Sequence, residues 1–526
     1  MRRPPLLLTA AALLTVGLML IPLAYLVVRA GTGGADAWEI LTRRGTLELV
    51  LRTCGLVAAV VAAAIALGVP LAWLVVRTDL PGRRLWAAAA ALPLVIPSYV
   101  AALALLGAFG PRGLLQRLLE EPFGVERLPE IYGFPGAFLA LTLSTYPYVF
   151  LLTAAALRAL DPSLEEAARG LGRHPSAVFR EVTLPALRPA IGAGGLLVAL
   201  YSLADFGAVS LMQYRALTHA IYLQYRSLFD RTPAAVLGLV LVVLTAVVLA
   251  LEGRTRRRAR FHRTTPGTAR QARRVALGRW RWPALAFCTA VVGLFLAVPL
   301  AVLVYWTARA IELGDDVEIA WHAAGNSLLS SGLAAIVAVL AAAPIAYLAE
   351  RHRSGATRLL ERAAYSANAL PGIVIALSLV FFAARYGGPL YQTLSLLVFA
   401  YVVRFLPQAL AGAGSALRTV DPRLEEAARG LGRSPLSVVA RVTAPLAAPG
   451  ILAGGALVFL SAMKELPATL LLRPIGFETL ATEIWRHTAL GAYSRAAPSA
   501  LLLILVSAPL LLALGARRES EIGSPG

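Results

Sequence analysis

The sequence predicts an all-α integral membrane protein in which twelve transmembrane helices form two homologous six-helix halves. Three observations support this fold class. Hydrophobic residues make up 58% of the 526 residues, while charged residues make up only 15%. Apolar windows of about 20 residues recur along the chain, and its second part repeats its first. Because lipid cannot pair the backbone groups of open strands, each window is predicted to be a helix.

The apolar windows form two sets of six. They lie near 5–29, 50–76, 86–109, 136–157, 189–211, 233–252, 283–310, 327–349, 364–384, 390–413, 446–472 and 495–516. The first window follows two arginines, as a signal peptide would. It is longer than the usual apolar region of about 7 to 15 residues, so an uncleaved first span is predicted.

The clearest internal repeat lies between spans. Asp161–Pro185 recurs as Asp421–Pro445 at an offset of 260, and 17 of the 25 residues are identical. The repeat divides the chain into a first half (1–252, six transmembrane helices), a basic linker (253–282) and a second half (283–526, six transmembrane helices). A parallel repeat of this kind indicates a pseudo-two-fold axis along the membrane normal, with the pathway between the halves.

The repeat also extends into the spans. Pro70–Arg77 is similar to Pro344–Arg351, and Pro97–Leu105 is similar to Pro371–Leu379, both at an offset of 274. The offset falls by 14 before the next repeated segment. We therefore expect the first half to carry about 14 extra residues, which the segment 110–136 can hold.

The repeated segment has the chemistry of a short polar helix followed by a bend. Asp161 suits the N-cap, and Pro162 suits the first helical position, where no backbone donor is needed. Glu165 and Arg169 are four residues apart, a spacing that adds a few tenths of a kcal/mol. Gly172 marks the bend. A single copy could be an ordinary amphipathic surface helix, but two copies in equivalent places indicate a shared partner.

These residues carry a resemblance to a known family. Glu166-Ala167-Ala168, Gly172 six residues after Glu166, and Leu184-Pro185 resemble the EAA loop of ABC importer permeases. The second copy matches, except that Ala444 replaces the leucine before the proline. We call 161–185 the first EAA loop and 421–445 the second.

The resemblance implies a type I ABC importer permease fold, in which each EAA loop is a coupling helix seated on an ATPase subunit. The candidate docking residues that it implies are Glu166, Ala167, Ala168, Gly172, Glu426, Ala427, Ala428 and Gly432. The two loops are nearly identical, so we expect a homodimeric ABC ATPase on the cytoplasmic face. The resemblance also implies a solute-binding protein on the outer face, and one copy of this chain supplies both halves of a complex.

The net charge of +20 comes from arginines in the loops. Eleven arginines fall between Arg254 and Arg281, which fits the positive-inside pattern and contact with anionic membrane lipid better than nucleic-acid binding. A bacterial cytoplasmic (inner) membrane protein with several spans and both termini cytoplasmic is predicted. The opposite side then receives the acidic residues Glu120, Glu121, Glu126, Glu130, Glu312, Asp315, Asp316 and Glu318.

The sequence contains no motif for catalysis. It has no G-x-x-x-x-G-K-[ST] phosphate loop, no nucleophile elbow and no His-Glu-x-x-His zinc motif. Cys54 and Cys288 lack the spacing of metal ligands and imply no disulfide framework. We therefore expect a transport subunit rather than an enzyme, with no cofactor bound by this chain and ATP used by the partner subunit.

Two acidic residues fall inside predicted spans. Asp205 and Glu465 correspond at the offset of 260, and Tyr201 precedes Asp205 by one turn. Ionisable residues inside spans are costly and tend to face cavities or protein. One interpretation is that these acids satisfy the backbone at helix breaks. The other assigns Asp205, Glu465 and Tyr201 to a translocation pathway for a cation. No metal ligand is assigned.

The cargo rests on resemblance. Leu203–Val209, Lys464–Arg473 and Phe477–Trp485 look like segments of the fused permeases of ferric-iron importers. Thiamine, polyamine and other small-solute importers use related permeases and remain alternatives. In a different class, an ion-gradient-driven secondary transporter would share the twelve spans, but it gives no reason for duplicated EAA loops.

Overall fold

We describe a computed structural model of the chain, which covers residues 5–111, 113–227, 232–258, 274–312, 314, 318–352 and 354–523. Within these ranges the regular structure is helical, apart from one isolated bridge between Thr78 and Val275. The predicted Asp315 and Asp316, Arg2 and Arg3, and the linker residues 259–273 lie outside the described ranges.

Twelve helical segments of the described chain are long and apolar enough to cross a membrane. This number confirms the predicted fold class. The segments are Leu6–Gly31, Arg44–Arg77, Ser98–Phe123, Phe134–Ala159, Phe179–Ala204, Thr232–Leu251, Gly278–Glu312, Ala320–Arg351, Gly372–Leu390, Leu394–Thr419, Val439–Met463 and Tyr493–Leu510.

The first half contains thirteen described α-helices, several of them short. They are α1 (Leu6–Gly31), α2 (Gly34–Thr42), α3 (Arg44–Arg77), α4 (Arg83–Ala91), α5 (Ser98–Phe109), α6 (Leu114–Phe123), α7 (Phe134–Ala159), α8 (Pro162–Gly170), α9 (Pro175–Val178), α10 (Leu184–Ala204), α11 (Gly207–Leu211), α12 (Leu217–Ser227) and α13 (Thr232–Arg258).

The second half begins with helices that extend back into the predicted linker. Its described helices are α14 (Arg281–Val292), α15 (Val298–Glu312), α16 (Glu318–Arg351), α17 (Gly355–Tyr365), α18 (Gly372–Phe382), α19 (Leu394–Thr419), α20 (Pro422–Gly430), α21 (Pro435–Val438), α22 (Ala444–Met463), α23 (Pro467–Leu472), α24 (Leu480–Ala489) and α25 (Tyr493–Gly523).

The repeat found in the sequence is also a repeat of helices. α3 and α16 have the same length and correspond at the offset of 274, while α7 and α19 correspond at the offset of 260. Between these pairs the first half has one additional helix, α6, in the segment predicted to hold the extra residues. The insertion therefore forms a short helix before α7 and leaves the spans in register.

Four predicted spans are broken rather than continuous. The residues before Pro97 and Pro371 are extended, which separates α5 and α18 from the helical segments that precede them. A proline disfavours helical geometry in the residue before it, so both breaks follow from the sequence. The predicted spans 189–211 and 446–472 also end early, because α10 stops at Ala204 and α22 stops at Met463.

Small residues set the close packing inside each half. A side chain at Gly194 of α10 would come within 2.9 Å of the Val149 backbone on α7. In the second half, Gly412 of α19 and Gly454 of α22 lie directly against each other. Transmembrane helices use small residues in this way, because close backbone approach increases van der Waals contact where the hydrophobic effect is weak.

The first membrane span of each half packs on the other half. α1 contacts α16, α17 and α18, while α15 contacts α5 as well as α25 of its own half. Trp306 of α15 donates a hydrogen bond from its indole Nε1 to the carbonyl oxygen of Gly107 on α5, at 3.3 Å. The halves are therefore interlocked, an arrangement that the repeat by itself does not reveal.

This interlock predicts a site-specific effect on stability. A Cβ at Gly107 would lie 2.9 Å from the Trp306 indole Nε1 and 3.1 Å from Val302, so Gly107→Val should push α15 away from α5. Overpacking of this kind costs about 1–3 kcal/mol. We expect a lower melting temperature for the purified protein in detergent.

The matched control is Gly17→Val in α1, where a Cβ meets no atom within 4 Å. Both substitutions place a β-branched residue in a helix, so their shared propensity cost cancels in the comparison. Equal melting temperatures for the two variants would contradict the proposed packing at Gly107.

Candidate functional site

The two EAA loops have the same local structure. Asp161 and Asp421 are N-caps, and each carboxylate accepts a hydrogen bond at 2.9 Å from the backbone N–H two residues later. In the first loop that donor is the N–H of Ser163, which holds the pKa of Asp161 below its usual value. The capped helix that the sequence predicts is therefore present in both copies.

A left-handed glycine produces the bend after each helix. α8 ends at Gly170 and α20 at Gly430, and the next glycines, Gly172 and Gly432, have φ of 76° and 81°. A residue with a side chain pays about 1–2 kcal/mol to adopt this conformation. The second glycine of each loop is therefore required by the backbone, whereas the first is an ordinary helical residue.

The predicted docking residues lie at the surface. Glu166, Ala167 and Gly172 are exposed and Ala168 is half-buried, and the second loop has the same pattern at its equivalents. Leu171 and Leu431, each directly before its bend glycine, are about 85% exposed. Each loop therefore presents an exposed leucine beside the predicted docking residues.

Sequence reasoning missed the residue that fixes each loop. The helical spacing predicted Glu165 to be a surface residue paired with Arg169, but Glu165 is buried. The Thr183 hydroxyl donates to Glu165 Oε1 at 2.9 Å, and the Arg77 guanidinium lies 3.4 Å from the same oxygen. Arg169 lies 3.6 Å from Oε2. Glu165 therefore joins the EAA loop to the end of α3 and to the start of α10.

The second half contains the same joint. Glu425 is 3% exposed, and its Oε1 accepts hydrogen bonds from Arg351 Nε at 2.8 Å and from the Thr443 hydroxyl at 3.1 Å. Arg351 also donates to the carbonyl oxygen of Val420 at 2.9 Å. The sequence did carry a signal for these contacts, because Arg77 and Arg351 are the last residues of the repeated segments that begin at Pro70 and Pro344.

Asp205 lies at a helix break in the first half. Its Oδ1 accepts hydrogen bonds from the backbone N–H groups of Ala208, at 3.0 Å, and Val209, at 3.3 Å. The Ser98 hydroxyl donates to the other carboxylate oxygen, and the Thr218 hydroxyl donates to the Asp205 carbonyl at 2.6 Å. The carboxylate thus pairs the free donors at the start of α11, as the helix-break interpretation expects.

Glu465 occupies the equivalent break in the second half with different partners. Its Oε1 accepts from Arg404 Nη1 at 2.9 Å and from the backbone N–H of Ala468 at 3.2 Å. Gly372, the equivalent of Ser98, makes room for Arg404, because any side chain there would overlap the guanidinium. A guanidinium therefore takes the place that a serine hydroxyl has in the first half.

The two breaks meet where the halves touch. Gly207, at the start of α11, approaches both Tyr99 and Leu466, and a Cβ added at this glycine would lie 3.3 Å from the leucine side chain. Tyr99, Phe206 and Leu466 are all buried. Among the described residues, these contacts close the space between the halves at this level.

A cavity of about 560 Å³ lies between the halves at the end away from the EAA loops. Its position follows from Tyr391 and Gln392, which line it and precede α19, whereas the other end of α19 leads into the second EAA loop. The remaining lining residues are Tyr222, Tyr225, Arg226, Leu470, Leu471, Arg473, Thr482, Trp485, Arg486, Ala489 and Leu490.

The residues predicted for the pathway are not part of this cavity lining. Asp205 and Glu465 are buried at the breaks, and Tyr201 is half-buried on α10 with its ring centroid 6.1 Å from that of Tyr148. Their assignment to the pathway stays a prediction. In the described part of the chain, no group of three or more His, Cys, Asp or Glu side chains could hold a metal ion.

Comparison with known proteins gives a family match in both halves. The model of the binding-protein-dependent transport system inner membrane component family matches residues 64–261 and 338–518. The chain is similar to the Fe(3+)-transport system permease protein FbpB 2 of Haemophilus influenzae. The two are 35% identical over 512 residues, which cover 96% of this chain and 97% of the relative.

Two further relatives extend the comparison. The ferric transport system permease protein FbpB of Actinobacillus pleuropneumoniae is 25% identical over 80% of this chain and 64% of its own length. The molybdenum transport system permease protein ModB of Escherichia coli is 32% identical, but the match covers 35% of this chain and 82% of ModB. ModB is therefore similar in extent to one half of this chain.

The buried joint predicts different results for two adjacent glutamates. Glu165→Gln removes the charge that faces Arg77 and leaves a buried guanidinium without its counter-charge. Removing one partner of a buried pair costs about 3–5 kcal/mol, so the variant should unfold at a lower temperature. The neighbouring Glu166→Gln changes an exposed side chain and should leave the melting temperature of the purified protein unchanged.

The second half supplies an independent repeat of this comparison, with Glu425→Gln against Glu426→Gln. If all four variants melt together, neither buried glutamate holds its loop in the way described.

Proposed function

The chain belongs to the family of binding-protein-dependent transport system inner membrane components, and from its similarity to an Fe(3+)-transport permease over 96% of its length we propose that it imports ferric iron. It is a permease of the ABC transporter class, a transport subunit rather than an enzyme, and a protein of the inner membrane with several spans. In the proposal it is the single permease chain of a complex that takes iron from a binding protein outside and releases it in the cytoplasm.

The duplicated EAA loops are the observation that carries the mechanism. Both loops have the same cap, bend and exposed face. The first follows the fourth span and the second follows the tenth, so the six intervening crossings put both on one side of the membrane. An ATPase dimer on that side can engage both loops at once. Since 17 of the 25 residues are identical, two copies of one ATPase are the best fit.

Each loop can transmit force because it is tied to two long helices. When the ATPase dimer closes and draws the loops together, Glu165 and Glu425 carry the movement into α3, α10, α16 and α22 through the joints described above. The halves then rock about the pathway. ATP binds to and is split by the partner subunit, and this chain needs no cofactor of its own.

The cargo follows from whole-chain similarity. The relative with the Fe(3+)-transport name matches both halves over almost its full length, and a second relative, matched over 80% of this chain, is also named for ferric transport. The outer cavity faces the side where a binding protein would deliver iron. Both termini are assigned to the cytoplasm, where the arginine-rich linker would contact anionic lipid.

A cargo experiment tests the first part of this proposal. Deleting the gene from its native host should reduce ATP-dependent uptake of radiolabelled Fe(III) supplied as its citrate complex, and a plasmid copy should restore uptake. Thiamine and spermidine uptake should not change. A selective loss of thiamine or spermidine uptake would assign the permease to that cargo instead, and uptake driven by a proton gradient in ATP-free vesicles would contradict the importer mechanism.

The bend glycines test the ATPase contact. Gly172→Ala together with Gly432→Ala puts a Cβ on two residues with positive φ, which costs about 1–2 kcal/mol at each bend and should reshape both loops. We expect the tagged variant to lose the ATPase that co-purifies with the unmodified protein, while its own elution on size exclusion is unchanged.

Gly170→Ala together with Gly430→Ala is the matched control. These glycines are two residues away, equally open, and lie in ordinary helical conformation. The control should keep the ATPase, and a loss in both double variants would show that the bend conformation is not what the partner requires.

A further inference from the structure

The chain has 49 basic Lys and Arg residues, and Lys464 is its one lysine. It directly follows α22 and directly precedes Glu465 at the break of the second half. Its ammonium Nζ donates a hydrogen bond to the carbonyl oxygen of Leu94, at 3.2 Å. Leu94 belongs to the first half, in the 3₁₀ segment Leu92–Val95. The one ammonium group of the chain's side chains therefore bridges the two halves.

The bridge is made from one side only. At the offset of 260 the residue equivalent to Lys464 is Ala204, which has no side-chain donor. The neighbouring acids are already paired within their own halves, Glu465 with Arg404 and Asp205 with Ser98. The contact between Lys464 and Leu94 is thus not a repeat of the break chemistry, but an addition to it that links the halves.

The location of this bridge is where the halves close on each other. Lys464 and Glu465 sit next to Leu466, whose side chain packs near Gly207 of the first half. α22 is 20 residues long, so at 1.5 Å per residue Lys464 lies about 30 Å from the start of that helix. The bridge is therefore far from the EAA loops, and α23, which follows it, contributes Leu470 and Leu471 to the lining of the outer cavity.

A lysine suits a contact that has to break. Its ammonium is a compact charge on a flexible stem and can hold a single carbonyl, whereas an arginine fork is adapted to two acceptors. If the halves separated, the hydrogen bond to Leu94 would be lost and the ammonium would be hydrated in the gap. The contact can form again without any change in the pairing of Glu465.

We propose that Lys464 is the gate residue of this permease, a latch that holds the halves together across the closed passage until the ATPase separates them. The inference rests on the proposed importer function, and it adds the residue that couples closure of the passage to the ATPase. A charged donor hydrogen bond of this kind should shift the ratio of closed to open protein about tenfold, equivalent to about 1.4 kcal/mol.

The single lysine makes the latch directly measurable. The complete complex, with its ATPase and binding protein, is reconstituted in nanodiscs and treated with an amine-specific acetylating reagent, and the Lys464 peptide is quantified by mass spectrometry. We expect slow acetylation in the resting complex and about tenfold faster acetylation after trapping with ATP and vanadate. Equal rates in the two states would overturn the latch.

A reference lysine controls for reagent supply. Arg43→Lys places an amine at a side chain that is 61% exposed, and its acetylation should be the same in both states. The latch variant is Lys464→Met, which keeps the apolar stem and removes the donor. It should raise the resting ATPase rate and lower the iron imported per ATP, whereas Lys464→Arg should restore part of the coupling.

The two proposals can fail separately. If Lys464→Met folds, as judged by its melting temperature, and couples ATP to iron uptake as the unmodified chain does, the latch is wrong and the importer function stands. If Lys464→Met does not fold, the acetylation rates of the unmodified chain still decide the question. If iron uptake is unchanged in the deletion strain and in every variant, the importer function is refuted instead.

Discussion

A carboxylate group is costly to bury unless cations and hydrogen-bond donors surround it. Glu165 and Glu425 meet this requirement by drawing three segments together at the inner end of each half: the end of a long helix, the EAA loop and the start of the next helix. The exposed face of each loop is positioned by this buried pair. The predicted docking surface thus depends on a residue that does not belong to it.

The same requirement governs the breaks about 30 Å further along α10 and α22. Where these helices stop, the backbone donors of the next short helix need acceptors inside the protein. Asp205 and Glu465 serve as those acceptors. Their cost inside the protein is offset by Ser98 in one half and by Arg404 in the other. An acid inside a span is here first a structural residue.

The halves share a fold but differ in the chemistry of their contact. Gly372 admits Arg404 where the first half has Ser98, and only the second half sends a lysine across to the first. α1 and α15 add a further link, because each packs on the opposite half.

The sequence alone was enough for the twelve spans, the two halves and the location of both EAA loops, because apolar length and a repeated segment can be recognised without knowing which helices pack together. The N-cap at Asp161 and the bend at Gly172 were readable for the same reason. The burial of Glu165 was not, since helical spacing puts Arg169 within reach but says nothing of Arg77, 88 residues away. Nor could the sequence pair Arg404 with Glu465 or Lys464 with Leu94. It also did not show that α1 and α15 each pack on the opposite half. Those pairings depend on which helices pack together. Only the tertiary structure decides that, because the hydrophobic pattern identifies a span without identifying the spans beside it.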